Sequence, residues 1–183
     1  MNLFRSRTFV VPILLLLLSG CAQNVEQEHP TSADWITYTS EQGGYRVQFP
    51  AAPEVSTEIW EAAPGIENPI HTVTCLTEDH VLWIETKQFP AYMVENHEVH
   101  LVQQVALIDQ GTLHSETTVQ LGDHVGREFV YECSIGSRRA FVLQRAFFVR
   151  NCLYFICCAK PGSLDEVQVE GKRFIDTFEF LPE

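Results

Sequence analysis

Basic residues are scarce over most of this chain. Residues 22–125 contain two, Arg46 and Lys87, against sixteen acidic residues, which gives a net charge of −14; residues 126–183 contain eight of each sign. Binding to nucleic acid or to anionic lipid headgroups depends on clustered lysine and arginine. The composition therefore argues against both. It leaves two interpretations of the acidic part: a solvated surface, or a docking surface for a basic partner.

Motifs for catalysis are also missing. The chain has no Cys-x-x-Cys redox motif and no Gly-x-Ser-x-Gly nucleophile motif. Gly43 and Gly44 are followed by Tyr45 and not by the lysine of a phosphate-binding loop. We therefore predict no catalytic residue, no non-covalent cofactor and a protein that is not an enzyme.

The N-terminus has the organisation of a secretory signal. Arg5 and Arg7 precede an apolar run at residues 8–18, which is shorter than the roughly 20 residues of a spanning helix. Residues 17–21, Leu-Leu-Ser-Gly-Cys, resemble the lipobox of bacterial lipoproteins. This resemblance implies cleavage before Cys21, a diacylglyceryl thioether on its sulfur and an acyl amide on its nitrogen. An ordinary signal that is cleaved elsewhere is the alternative.

The chain divides into three parts. Residues 1–20 are predicted to be the signal peptide with its lipobox, and residues 21–33 a lipidated flexible tether in which Val25 is the sole large aliphatic residue. Residues 34–183 have the length and composition of a single domain. Ala22, in place of the aspartate of an inner-membrane retention signal, favours the outer membrane.

Short runs of β-branched and aromatic residues predict a domain rich in strands. We expect strands at residues 35–38, 45–49, 55–62, 70–77, 81–88, 112–121, 127–134, 138–150 and 152–160, with a loop at 64–69. A helix is predicted over 96–110 with Asn96 as N-cap, and another after the capping box of Ser163 and Glu166. Strands 138–150 and 152–160 carry large side chains on both faces, which indicates cover on both sides. The predicted fold class is α+β: a mostly antiparallel sheet of about seven strands with helices packed on both faces, an α/β/α sandwich.

Three segments resemble the PsbP-like family in order and spacing. They are Tyr-Arg-Val-Gln-Phe-Pro at 45–50, Leu-Gly-Asp-His-Val-Gly-Arg-Glu-Phe-Val-Tyr at 121–131, and Phe-Ile-Asp-Thr-Phe at 174–178. The family includes the PsbP photosystem subunit, the Ran-binding Mog proteins and small bacterial lipoproteins such as DcrB. The resemblance implies the PsbP-like sandwich and a docking or assembly role. No contact residue of these proteins has a match here. The chain also resembles a conserved chlamydial lipoprotein.

Five cysteines remain besides the lipid-bearing one: Cys75, Cys133, Cys152, Cys157 and Cys158. An odd number leaves at least one unpaired within the chain. Cys157 and Cys158 are adjacent on a predicted strand and therefore point to opposite faces. We interpret the five as buried core thiols, with one disulfide among them as the alternative.

Seven histidines raise the question of a metal. His97 and His100 lie three residues apart on the predicted helix, so that both side chains could face one ion. A third ligand would have to come from elsewhere, and the candidates are His71, His80, His114 and His124. Surface histidines on an amphipathic helix are the simpler interpretation, so we predict no metal site.

These observations favour a non-enzymatic envelope lipoprotein that docks a protein partner or supports an envelope assembly. Its expected contacts are the membrane, through the lipid on Cys21, and a protein, but not nucleic acid. Its expected location is the outer membrane, facing the periplasm, and exposure at the cell surface is left open. The alternative is a small-ligand or metal-binding lipoprotein, or a hydrolase, that uses His97 and His100.

Overall fold

The computed structural model describes residues 35–63, 65–90, 111–135 and 138–182. Strands account for most of these residues, because long runs of the chain are rich in β-branched and aromatic side chains. The elements in chain order are β1 (Ile36–Ser40), β2 (Tyr45–Phe49), β3 (Glu54–Ala63), β4 (Ile66–Leu76), β5 (Val81–Gln88), β6 (Thr112–Leu121), β7 (His124–Ile135), β8 (Arg138–Val149), β9 (Cys152–Pro161), α1 (Leu164–Ile175) and β10 (Glu179–Phe180).

The strands form two antiparallel sheets. The large sheet has the order β3-β4-β5-β9-β8-β7-β6, and the small sheet has the order β1-β2-β10. Tight turns join neighbouring strands, as between β8 and β9, where Arg150 and Asn151 have φ of 52° and 62°. The small sheet is closed by the end of the chain, because Glu179 pairs with Arg46 and Phe180 with Tyr45.

Helix α1 and the small sheet pack on one face of the large sheet, which we call the helix face. Ser163 caps the helix: its Oγ accepts from Glu166 N at 3.3 Å, and its N–H donates to Glu166 Oε2 at 3.0 Å. At Gly171 the helix lies so close to the sheet that a Cβ atom would stand 2.8 Å from Leu143 Cδ2. Fully buried side chains from all three layers, among them Phe49, Leu143, Ile156 and Phe174, fill this interface.

The other face of the large sheet, the opposite face, carries a second apolar cluster. Phe129 of β7, Leu153 and Cys157 of β9 are fully or almost fully buried there, and Trp60 and Trp83 pack against them. The large side chains on the two faces of β8 and β9 thus belong to two separate apolar clusters.

The prediction of helices on both faces of the sheet was wrong. The described residues contain one helix, α1, and the fold is mostly β, built from two antiparallel sheets. Large side chains on both faces of a strand indicate that both faces are packed against something, but they do not distinguish a helix from a sheet. On the helix face, much of the packing is provided by the small sheet. The helix predicted over 96–110 lies outside the described residues.

The predicted loop at residues 64–69 was also wrong in part. Strand β4 begins at Ile66 and includes Pro69, which pairs with Ile59 of β3. Pairing of β4 with β5 begins one residue later, at Ile70. Proline is tolerated there because the strand has a partner on one side at that point. The capping box at Ser163 and the remaining strands are confirmed within a few residues.

Candidate functional site

The histidines considered as candidate metal ligands are not brought together among the described residues. Cys21, His97 and His100 lie outside them. The four histidines considered as third ligands belong to different regions: His71 to β4, His80 to the β4–β5 turn, His114 to β6 and His124 to the start of β7. Within the described ranges, no three histidine, cysteine or acidic side chains are grouped as metal ligands would be.

Three of these histidines have structural partners. His71 connects the β1–β2 turn to the large sheet, because Gln42 Nε2 donates to its Nε2 at 3.0 Å and Thr57 Oγ1 lies 3.0 Å from its Nδ1. His80 Nδ1 lies 2.6 Å from Asp79 Oδ1 in the β4–β5 turn. The ring of His124 packs edge-on against Phe180 with 4.9 Å between centroids. These contacts account for the three side chains without a ligand.

All five described cysteines are free thiols. Burial raises the pKa of each of them, to about 11 for Cys152 and about 12 for Cys158. A thiol with a raised pKa stays protonated at neutral pH and is a poor nucleophile or metal ligand. Cys157 and Cys158 belong to the clusters on opposite faces, as predicted. Their environment is that of core residues.

A shallow cleft of about 450 Å³ lies where two turns meet the end of the chain. The polar side chains that line it are Asp123, His124, Arg150 and Glu179, and Arg150 Nη2 donates to the Leu181 carbonyl at 3.4 Å. The carboxylate of Glu179 accepts from Arg46 Nε at 2.7 Å. The cleft thus combines both signs of charge, and Arg150 and Glu179 are engaged with protein atoms. The sequence contained no signal for it, since the lining comes from three distant segments.

Strand β3 presents a different kind of surface. It is the last strand of the large sheet on its side, with β4 as its sole strand partner among the described residues. Val55 and Ile59 are 59% and 64% exposed, although aliphatic side chains of this size usually lie in a core. Glu54 and Glu58 are also exposed, and no basic side chain pairs with either of them in the part of the chain that the structure describes.

The other end of the large sheet has balanced charge. On β6, Glu116 Oε1 lies 3.7 Å from Arg127 Nη1, and this same nitrogen donates to Thr118 Oγ1 at 3.1 Å. His114 Nε2 lies 3.6 Å from Glu132 Oε2 of the neighbouring strand. Arg127 of β7 therefore balances the carboxylate of Glu116 on the rim formed by β6. The two edges of one sheet differ in charge, and the acidic edge is β3.

No family model and no curated protein matches this sequence. Among solved structures, the cyanobacterial PsbP protein (CyanoP) of Synechocystis sp. PCC 6803 superposes with a TM-score of 0.57, over 88% of this chain and 98% of that one, at 15% identity. This chain therefore has a PsbP-like fold. A Pseudomonas aeruginosa protein of unknown function, described as a putative regulator, has a TM-score of 0.48 at 10% identity, over 81% of this chain and 97% of that one.

The PsbP-like fold confirms the resemblance found in the sequence at the level of architecture. An identity of 15% shows the fold alone, and function must be argued from particular surfaces. No helix of the described residues is both long enough and apolar enough to span a bilayer.

Proposed function

We propose that this protein is a lipid-anchored envelope protein whose PsbP-like domain docks a protein partner and does no chemistry of its own. One observation carries the proposal: among the described residues, strand β3 ends the large sheet with exposed aliphatic side chains and with carboxylates that have no basic partner. Exposed apolar groups beside a row of like charges are typical of surfaces that meet another molecule.

The anchor is proposed from the sequence. Residues 1–20 would be removed, and the lipid on Cys21 would hold the domain at the outer membrane through the tether at 21–33. One acyl chain binds a bilayer marginally, whereas two or more anchor it stably. The resemblance of the sequence to a conserved chlamydial lipoprotein is also part of this proposal. The alternative that uses His97 and His100 stays a prediction, because both residues lie outside the described ranges.

Site-specific cross-linking in intact cells tests the docking function. A photoreactive amino acid replaces Ser56 of β3 in one strain and Gln120 of β6 in another, both of which are exposed positions at opposite edges. We expect one adduct of constant mass from position 56, absent from position 120 and reduced by the double change Glu54→Gln and Glu58→Gln. If neither position, nor further positions around the domain, gives a specific protein adduct, the docking function is wrong.

A further inference from the structure

We propose that the β3 edge binds an extended segment of the partner as an eighth strand of the large sheet, and that this segment is basic on one face and aliphatic on the other. The proposal rests on the docking function and adds the binding mode and the chemistry of the partner.

The backbone of β3 provides the first requirement. The strand is ten residues long and has β4 on one side. About half of its N–H and C=O groups point away from β4, as they do in any edge strand. Such a row of groups is a template for strand addition, in which main-chain hydrogen bonds supply affinity and alternate side chains supply specificity.

The side chains of β3 alternate by chemistry as well as by direction. Val55 pairs with Val73, a residue of the core on the helix face, so Val55, Thr57 and Ile59 point to that side of the sheet. Glu54, Ser56 and Glu58 point to the opposite face. An added strand would place its own side chains in the same two rows.

The composition of the occupant follows from these two rows. Valine or isoleucine beside Val55 and Ile59 would remove apolar area from water, at about 25 cal/mol per Å². Lysine or arginine beside Glu54 and Glu58 would neutralise carboxylates that lack a basic partner within the described ranges. Alternating basic and aliphatic residues satisfy both rows at once.

A second copy of this chain fits the edge poorly. Pairing β3 with β3 about a twofold axis would bring the Glu54 and Glu58 rows of two copies onto one face, and like charges on neighbouring strands are destabilising. The β6 edge fits a basic segment poorly for another reason, because Arg127 already balances Glu116.

Synthetic peptides test the inference on the full chain in detergent micelles. The probe is a ten-residue peptide of alternating lysine and valine, acetylated and amidated, and its control has the same composition with the lysines in one block. We expect the alternating peptide to slow hydrogen exchange of amides in β3 and not in β6. The blocked control should bind more weakly.

Protein variants test whether binding of the peptide depends on the carboxylates of β3 or on the overall negative charge of the protein. The double change Glu54→Gln and Glu58→Gln should weaken binding of the alternating peptide about fivefold or more, since two exposed charge pairs are lost. The matched control, Glu41→Gln with Asp123→Asn, removes the same charge from exposed turns and should leave the affinity unchanged. Added salt should reduce the difference between the two variants.

Peptide methylation tests strand pairing directly. The N–H groups of alternate residues point to opposite edges of a strand, so methylation at every valine or at every lysine blocks one edge each. Methylation of one set should abolish binding, and methylation of the other should preserve it. Equal binding by both methylated peptides, protection at β6, equal effects of the two double variants, or dimerisation of the protein through β3 would each overturn the inference. If the peptides do not bind but cross-linking in cells still captures a partner, the inference of strand addition is wrong and the docking function is retained.

Discussion

Arg145 of β8 donates from Nη1 to Oδ1 of Asp176, the C-cap residue of α1, at 3.0 Å. The same guanidinium donates from Nε to Glu128 Oε2 at 2.7 Å, and the side chains of Arg145 and Glu128 are both 15% exposed. One arginine thus connects two strands of the large sheet to the end of the helix that covers it. Because Arg145 is the basic partner of the mostly buried Glu128, its removal would leave the Glu128 carboxylate without a compensating charge.

The first prediction concerns this connection. Arg145→Met should lower the free energy of unfolding by about 2 kcal/mol, between the effects of exposed and of fully buried ion pairs. Adding Glu128→Gln to the same variant should recover part of the loss, because the unpaired charge is then removed. Urea denaturation measures both values. The control is Arg46→Met at the exposed pair with Glu179, where about 0.5 kcal/mol is expected; equal losses at the two sites would contradict the prediction.

The second prediction concerns the close approach of α1 to the sheet. Gly171→Ala should destabilise the domain by about 1 kcal/mol, because overpacking against Leu143 and Cys158 outweighs the gain of about 1 kcal/mol in helix propensity. Thermal unfolding gives the sign. Val169→Ala, at an exposed site on the same helix, should change stability by less than about 0.5 kcal/mol. A more stable Gly171→Ala protein would show that the helix can shift outward at no cost.

The third prediction concerns acid. Partial burial acts to raise the pKa of Asp79, but hydrogen bonds from Lys160 and His80 outweigh it and hold the pKa at about 2, below the ordinary value of 3.8. The carboxylate therefore stabilises the fold fully above the unfolded-state pKa, and this stabilisation is lost as the pH falls through about 4 towards 2. Asp79→Asn should be less stable than the parent at pH 7 and should approach it at pH 2.

Urea titrations at several pH values check this dependence. Asp123→Asn, in the exposed β6–β7 turn, serves as the control and should follow the parent at every pH. A gap between the parent and Asp79→Asn that stays constant from pH 7 to pH 2 would show that the ion pair contributes nothing.

The fourth prediction concerns the thiols. Cys157 and Cys158 should resist alkylation in the folded protein at neutral pH and react fully after unfolding, because burial raises the pKa of both and excludes the reagent. Mass spectrometry of labelled peptides distinguishes them by position. Rapid labelling of either residue in the folded state would assign it to a reactive site instead of the core.

The fifth prediction concerns the anchor. Cys21→Ser should release the mature chain from membranes or block its maturation, because the acyl chains have no other point of attachment in the proposal. Fractionation and the intact mass of the N-terminal peptide provide the measurement, and Ser19→Ala, which keeps a small residue at the same motif, provides the control. A Cys21→Ser chain that remains membrane-bound and normally processed would contradict the anchor.

Local signals in the sequence predicted most individual strands. Runs of β-branched and aromatic residues marked β5 and β9, and the Ser163 capping box marked the start of α1, since each depends on residues a few positions apart. The order of strands was not predictable in this way. Strand β3 is an edge because β5 pairs with β9, and the paired residues Val81 and Ala159 lie far apart in the chain. The position of β3 at the edge of the sheet follows from that long-range pairing.

The small sheet has a consequence for synthesis. Strand β2 pairs with β1 on one side and with β10 on the other, and Leu181 N donates to the Gly44 carbonyl at 2.9 Å. The native contacts of β2 therefore depend on residues that come much later in the chain. The ring of Phe178 also stacks on Tyr45 with 5.2 Å between centroids. The first hairpin can therefore acquire its native neighbours only after residues 178–181 have been synthesised. In the export that we propose for this chain, this delay would keep the emerging polypeptide unfolded for passage through a translocation pore.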